Sequence, residues 1–162
     1  MQKYWGEKME LPKRKQNRLK CFDYRNPGYY FITICTRDKE KLFWEHSNSE
    51  KPKLSCIGII VEQSICRIPE VYSIIHLEKY VIMPNHVHFI LNLEGYYENP
   101  DGPSISTIVG QTKRVASKAA KRELWQRSFH DHIIRGENDY QKIWQYIDDN
   151  PRKWEEDCFY IE

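Results

Sequence analysis

The stretch Val81-Ile-Met-Pro-Asn-His-Val-His-Phe-Ile-Leu91 decides the fold of this chain, because its run of apolar, β-branched and aromatic residues predicts a central strand. Residues two apart in a strand point to the same face, so His86 and His88 lie side by side and Val87 lies on the opposite face. Two imidazoles placed in this way can bind one metal ion through their ring nitrogens. Two ordinary strand histidines are the alternative, although uncompensated imidazoles are costly to bury in a central strand.

The surrounding sequence predicts four strands and three helices. Periodicity and turn residues place strands over 29–36, 71–83, 86–93 and 125–135, and helices over 54–68, 104–122 and 140–156. Pro151 should stop or kink the last helix near Asn150. This is the β-α-β-β-α-β order of ferredoxin-like folds, an α+β class, with an extra C-terminal helix. We expect an antiparallel sheet with the helices packed on one face.

Composition indicates one globular domain, since the chain has 162 residues, of which 40% are hydrophobic and 30% charged. The five cysteines are scattered without a CxxC pair, which argues against a disulfide framework or a zinc finger and favours reduced thiols in the cytoplasm. No apolar run reaches membrane-spanning length, and the N-terminus lacks an apolar signal core. We therefore expect a cytoplasmic protein without a membrane partner.

Basic residues cluster in two places, although the net charge is only +2. One cluster lies in a predicted N-terminal strap over 1–28, ahead of a single domain over 29–162, and contains Lys13, Arg14, Lys15, Arg18 and Lys20. The other lies on the second helix and contains Lys113, Arg114, Lys118, Lys121 and Arg122. Each cluster is either a solvated surface or a site that neutralises phosphates. Trp125 and Trp144 are candidates for stacking on unpaired bases.

The last predicted helix carries a second candidate element of the site. Tyr146 and Asn150 are four residues apart and share one helix face, so a phenolic nucleophile and an amide oxygen could act together. With His86 and His88, Asn150 would complete a neutral set of nitrogen and oxygen ligands, which suits Mg²⁺ or Mn²⁺, with Zn²⁺ as the alternative. Asp149 is a chemically stronger ligand and is the second choice. A single helical tyrosine is, however, most often a packing residue.

A second histidine pair, His130 and His132, has the same strand spacing. The charged residue between them, Asp131, points to the opposite face, which places this strand nearer to an edge of the sheet. We interpret the pair as a DNA contact or as support for the residues around the metal.

Taken together, these motifs resemble the REP-associated tyrosine transposases, within the larger group of HUH single-strand transposases. The resemblance covers about residues 18–157. It rests on Arg18-Leu-Lys20, Asp23-Tyr24, Tyr29-Tyr-Phe-Ile-Thr-Ile-Cys-Thr36, Met83-Pro-Asn-His-Val-His88, Ile108-Val-Gly-Gln-Thr-Lys113, Trp125-Gln-Arg-Ser-Phe-His-Asp-His-Ile-Ile-Arg135, Asp139-Tyr140 and Tyr146-Ile-Asp-Asp-Asn-Pro151.

The resemblance implies a ferredoxin-like fold and cleavage and rejoining of single-stranded DNA next to hairpins, dependent on a divalent metal. Position by position, His86 and His88 match the ligands, Tyr146 matches the nucleophile and Asn150 matches the third ligand, where related transposases often carry glutamine. We expect attack by the tyrosine to give a 5′-phosphotyrosine link. Members of the larger group can be dimers that exchange the tyrosine helix, whereas REP-associated members can act as monomers. The alternatives are a non-catalytic nucleic-acid-binding domain of the same fold, a relaxase-type or replication-initiator-type nuclease, and a structural metal protein.

Overall fold

The computed structural model describes residues 22–45, 52–99 and 101–161. The predicted basic residues of the N-terminal strap lie outside this part of the chain; they are Lys13, Arg14, Lys15, Arg18 and Lys20. Within the described ranges, no helix combines the length and the apolar character needed to cross a membrane.

Four strands form one antiparallel sheet in the order β2-β3-β1-β4. The strands are β1 (Gly28–Cys35), β2 (Ile75–Ile82), β3 (His86–Leu93) and β4 (His130–Ile134). The two central strands, β3 and β1, are apolar over most of their length, as expected for strands that are covered on both faces. The predicted α+β class with an antiparallel sheet is confirmed.

The helices are α1 (Cys56–Cys66), α2 (Ile68–Val71), α3 (Ile105–Ala119) and α4 (Glu137–Asp149). Ser55 caps α1 by accepting a hydrogen bond from the Gly58 amide at 3.0 Å, and Ser104 caps α3 in the same way. The last helix ends at Asp149, as predicted from Pro151. A short 3₁₀ turn follows at Trp154–Glu156.

The helices lie on both faces of the sheet. The main core is built from α1, α3 and one face of the sheet, where β1 contributes Tyr30, Ile32 and Ile34. On the other face, Ile147 of α4 packs against Ile90 and Ile134 in a smaller cluster. The prediction that the helices pack on one face is therefore right for α1 and α3 and wrong for α4. Both faces of the sheet carry apolar residues, so α4 is needed to bury the face that α1 and α3 do not cover.

Two predicted strands are shorter in the structure. The strand predicted over 71–83 begins only at Ile75, because residues 68–71 form the short helix α2 with proline in its first turn. The strand predicted over 125–135 begins at His130, and Trp125 makes only an isolated bridge to Thr36. Both differences lie at the ends of elements and leave the strand order unchanged.

Candidate active site

The two histidines of β3 lie next to each other on the sheet face that α4 covers. His86 is fully buried and His88 is 1% exposed, and their ring centroids are 4.5 Å apart. Val87 points into the main core on the opposite face. The side-by-side placement predicted from strand alternation is therefore present.

Each imidazole has a hydrogen-bond partner on its Nδ1 atom. Nδ1 of His86 lies 2.8 Å from Oδ1 of Asn85, in the turn between β2 and β3. Nδ1 of His88 lies 2.8 Å from Oγ1 of Thr33, its register partner on β1. Because the Nδ1 atoms are engaged in these contacts, the Nε2 atoms of both rings face the space beneath α4.

The predicted tyrosine and asparagine of α4 reach this space. The Tyr146 hydroxyl lies 3.2 Å from Nε2 of His88. Phe31 of β1 stacks on the His88 ring at 5.3 Å between centroids and meets the Tyr146 ring edge-on at 6.1 Å. Tyr146 remains 41% exposed, whereas Asn150 is 4% exposed. The hydroxyl therefore lies at the border between the buried imidazoles and solvent.

The structure adds one residue that the sequence did not indicate, Asp157. Its Oδ2 atom accepts hydrogen bonds from Nδ2 of Asn150 at 2.9 Å and from the Tyr146 hydroxyl at 3.3 Å. The same oxygen lies 3.9 Å from Nε2 of His86. His86, His88 and Asp157 each offer a ligand atom within 4.8 Å of the others. Asp157 follows the helix in irregular backbone, where no periodicity reveals which way a side chain points.

These donor atoms fit a divalent cation. Nε2 of His86 and Oδ1 of Asn150 are buried and have no hydrogen-bond partner within the described structure. Buried polar atoms without partners are costly, and a cation would satisfy both of them. Imidazole nitrogens combined with amide and carboxylate oxygens suit Mn²⁺ or Mg²⁺ better than a thiolate-preferring ion. Asp149, the second choice from the sequence, instead forms ion pairs with Arg152 at 2.9 Å and Lys153 at 3.6 Å.

Burial sets the protonation states at the site. It lowers the pKa of His86 to about 4, although the carboxylate of Asp157 opposes this shift. Burial, and then the neighbouring His86, lower the pKa of His88 well below its ordinary value. Burial and the charge of Asp157 raise the pKa of the Tyr146 phenol. Both rings are therefore neutral near pH 7 and able to act as ligands, and the phenol is protonated in the absence of a cation.

The second histidine pair borders the site. His130 and His132 lie on the same sheet face as the first pair, since they pair in register with Thr33 and Phe31 of β1. Both are exposed. Nε2 of His132 lies 2.8 Å from Oδ2 of Asp139, in the first turn of α4. His132 thus contacts the helix that carries Tyr146, and His130 remains at the rim.

The predicted basic face of α3 divides into two groups. The ammonium of Lys113 donates hydrogen bonds to the carbonyls of residues 126, 127 and 128 at 2.6, 3.4 and 3.2 Å, and Arg122 pairs with Glu40 at 2.7 Å. A second group of cations lines an open cavity of about 640 Å³; it consists of Arg114, Lys118, Lys121 and Arg127. Lys113 thus holds the loop before β4 and Arg122 is held by Glu40, while both also line this cavity; the second group faces solvent.

Both tryptophans that were predicted to stack on bases make contacts within the protein. Trp125 is 8% exposed, and its indole N–H donates a hydrogen bond to the carbonyl of Lys113 at 3.0 Å, so its ring is not available to a base. Trp144 carries the Lys79 ammonium over its ring at 4.0 Å from the centroid.

Comparisons with known proteins identify relatives of this chain. No family model matches it. A Haemophilus influenzae protein of unknown function is 34% identical over 170 aligned positions, which span 92% of this chain and 94% of that protein. A second protein of that species, named "Putative REP-associated tyrosine transposase", is 26% identical over 81% of this chain and 74% of its own length.

A solved structure shares the fold of this chain. A REP-associated tyrosine transposase bound to a REP hairpin superposes with a TM-score of 0.64 at 21% identity, over 85% of this chain and 73% of that chain. The tyrosine of α4 beside the histidine pair of β3 is the arrangement that the sequence motifs predicted. The chain therefore belongs to one family with the 34% identical Haemophilus influenzae protein, and it is similar in sequence and in fold to REP-associated tyrosine transposases.

Proposed function

We propose that this protein is a metal-dependent transposase that cleaves and rejoins single-stranded DNA next to hairpins through a covalent bond to Tyr146. The observation that carries the proposal is the 3.2 Å contact between the Tyr146 hydroxyl and Nε2 of His88. A nucleophile on one element and a pair of metal-ligand side chains on another are thereby close enough to act on one phosphate.

The residues proposed to hold Mg²⁺ or Mn²⁺ are His86 and His88, with an oxygen from Asn150 or Asp157. The two orphaned buried atoms, Nε2 of His86 and Oδ1 of Asn150, support this assignment. The chemistry that a cation supplies there is Lewis-acid stabilisation of negative charge on the phosphate.

In the proposed step, the Tyr146 oxygen attacks phosphorus in line and the bond from phosphorus to the 3′ oxygen breaks. The phenolic proton passes to Asp157, whose Oδ2 lies 3.3 Å from the hydroxyl, and the departing 3′ oxygen takes a proton from water. The product is a 5′-phosphotyrosine link and a free 3′-hydroxyl. Attack by another 3′-hydroxyl on this link reverses the step and joins strands without ATP.

Hairpin DNA is proposed to bind through the solvent-facing cations of the α3 cavity. Arg114, Lys118, Lys121 and Arg127 can neutralise phosphates, and the N-terminal basic cluster adds to them. Lys113 and Arg122 contribute indirectly, through their contacts with the neighbouring loop and with Glu40. A relative of the same fold was solved bound to a REP hairpin, which supports hairpin DNA as the ligand. His130, at the rim, is proposed to contact the strand that enters the site.

A single chain is proposed to be sufficient for the reaction. The packing of Ile147 against Ile90 and Ile134 holds α4 on its own sheet, and Tyr146 meets a histidine of the same chain. This packing favours a monomer over an arrangement in which two chains exchange the tyrosine helix.

The test is to incubate the protein with a hairpin oligonucleotide that has a single-stranded flank and a label at its 3′ end. We expect a labelled protein adduct that survives denaturation, that needs Mn²⁺ or Mg²⁺ and that is absent with EDTA. Mass spectrometry of the digested adduct should place the nucleotide on Tyr146. Tight hairpin binding without an adduct would support the non-catalytic alternative. Metal-dependent cleavage without an adduct would exclude the tyrosine as nucleophile.

A further inference from the structure

We propose that Asn85 and Thr33 are positioning residues that set the tautomers of the two site histidines, so that His86 and His88 each present an unprotonated Nε2 atom to a cation. This inference rests on the metal site of the proposed function. It concerns the ring protons of the protein, which can be observed without DNA and without metal.

The orientation of the Asn85 amide follows from its surroundings. One end of the amide lies 3.3 Å from the carbonyl oxygen of Lys39 and 2.9 Å from that of Phe159. Both carbonyls can only accept hydrogen bonds, so this end is the NH₂ group. The other end is therefore the oxygen, which can only accept. At 2.8 Å from Nδ1 of His86, it requires a proton on that nitrogen.

The consequence for His86 is a bare lone pair on Nε2. A neutral imidazole carries one ring proton, and Asn85 holds that proton on Nδ1. Nε2 is buried without a hydrogen-bond partner, 3.9 Å from Oδ2 of Asp157. Two electron-rich atoms thus face each other in a buried space, which is unfavourable unless a cation lies between them. Asn85 thereby keeps the nitrogen a ligand and prevents it from donating to the carboxylate.

Thr33 acts on His88 in a weaker way. Its hydroxyl lies 2.8 Å from Nδ1 and can either accept from that nitrogen or donate to it. When Nδ1 carries the proton and donates to Thr33, Nε2 of His88 is free for a cation. The Tyr146 hydroxyl, 3.2 Å away, can then donate its one proton either to this nitrogen or to Asp157. Asn85 therefore imposes the ligand tautomer, whereas Thr33 permits it by giving the Nδ1 proton a partner in a buried place.

Both positioning residues are held by the sheet. Thr33 is the direct partner of His88 in the β1–β3 register. The carbonyl of Asn85 accepts hydrogen bonds from the amide of Thr36 at 2.8 Å and from its hydroxyl at 3.0 Å. The backbone of Asn85 is thus fixed beside β1, and its side-chain amide is held by Lys39, Phe159 and His86. A residue that orients a metal ligand needs such fixed contacts.

Nitrogen NMR of ¹⁵N-histidine-labelled, metal-free protein tests the proposal directly. In the wild type we expect Nε2 of His86 to be unprotonated and Nδ1 to carry the proton. In Asn85→Ala, the proton should move to Nε2, where Asp157 can accept it, and Mn²⁺ affinity should fall by roughly tenfold to a hundredfold.

Thr33→Val and Thr33→Ser form the matched pair for His88. The valine variant keeps the shape of the side chain but removes the partner of Nδ1, so we expect the Nε2-protonated tautomer and weaker Mn²⁺ binding. The serine variant should behave like the wild type. Folded Asn85→Ala and Thr33→Val proteins with wild-type tautomers and wild-type Mn²⁺ affinity would overturn the proposal. If Asn85→Ala does not fold, the threonine pair decides.

The outcome of this test can be distinguished from the outcome of the test of the proposed function. A wild-type protein that shows the expected tautomers and Mn²⁺ binding but forms no DNA adduct would refute the transposase mechanism and leave the positioning roles intact. A wild-type protein with the proton on Nε2 of His86 would refute the positioning role of Asn85, whether or not an adduct forms.

Discussion

The Tyr146 hydroxyl and Nε2 of His88 lie 3.2 Å apart, although 58 positions separate the two residues in the chain. The contact exists because α4 packs across the face of β3 that carries the histidines. Phe31 touches both rings, and the apolar cluster that includes Ile147 fixes the helix on the sheet. The packing that stabilises α4 is thus the same packing that positions the proposed nucleophile.

Replacing Tyr146 with phenylalanine should abolish the covalent DNA adduct and leave hairpin affinity nearly unchanged. The substitution removes only the hydroxyl, and the ring keeps its contacts with Phe31 and His88. Tyr140→Phe is the matched control, since this tyrosine lies on the same helix but packs against Tyr29 at 5.3 Å between centroids. Denaturing gels of labelled hairpin with Mn²⁺ measure both variants. An equal adduct yield in Tyr146→Phe would exclude this residue as the nucleophile.

Asp157→Asn should weaken Mn²⁺ binding by on the order of tenfold, because the cation loses a nearby compensating charge. Asp149→Asn is the control, since that carboxylate pairs with Arg152 and Lys153 instead of facing the histidines. Titration of free Mn²⁺ by electron paramagnetic resonance gives both affinities. If the Asp157 variant binds as tightly as the wild type, the amide oxygen of Asn150 is the better assignment for the third ligand.

The histidine pair and Tyr146 could be predicted from the sequence because each depends on a regular period. Strand alternation puts His86 beside His88, and helical spacing puts Asn150 one turn from Tyr146. Asp157 could not be predicted, because it lies after the helix in irregular backbone that turns back toward the site. Its position depends on tertiary contacts that have no periodic signal.

The layers of the fold show a similar limit. Apolar periodicity predicts the order of strands and helices along the chain, but it does not predict the face of the sheet on which α4 packs. Phe89 and Ile90 are consecutive residues on opposite faces of β3 and are both fully buried, which indicates covers on both faces. The roles of the basic residues on α3 could not be predicted from the sequence either. Charge alone does not distinguish Lys113, which donates hydrogen bonds to backbone carbonyls, from Lys118, which is exposed.

Metal-free protein should lose stability as the pH falls from about 6.5 toward 4. The pKa of His86 is lowered from 6.5 to about 4 in the folded state, so within this window the unfolded chain takes up a proton that the folded chain does not. The free energy of unfolding should decrease by about 3 kcal/mol across the window from this residue. His88 shifts in the same direction.

Urea unfolding in EDTA at several pH values measures this dependence. His86→Gln removes one titrating ring and should make the curve less steep between pH 6.5 and 4, where His88 still contributes. A variant with the same pH dependence as the wild type would show that other groups, such as the carboxylates, control acid stability in this range.

Lys113→Met should destabilise the fold, because the ammonium donates to three backbone carbonyls before β4. Methionine keeps most of the apolar stem and removes the charge-assisted hydrogen bonds, and we expect a loss of about 1.5–3 kcal/mol. Lys118→Met, on the exposed face of the same helix, should change stability by less than about 0.5 kcal/mol. Equal stabilities in urea unfolding would mean that water replaces the ammonium at those carbonyls.

Single neutral substitutions at Arg114, Lys118 and Arg127 should each reduce the salt dependence of hairpin binding. If each cation contacts one phosphate, the slope of log affinity against log salt should become less negative by about 0.9 per substitution. Arg67→Gln is the control, because Arg67 is exposed but lines a different cavity, beside Val71 and Tyr72. Fluorescence anisotropy over a salt series measures the slopes. Wild-type slopes in all three variants would place the hairpin away from the α3 cavity and would leave the N-terminal basic cluster as the phosphate-binding surface.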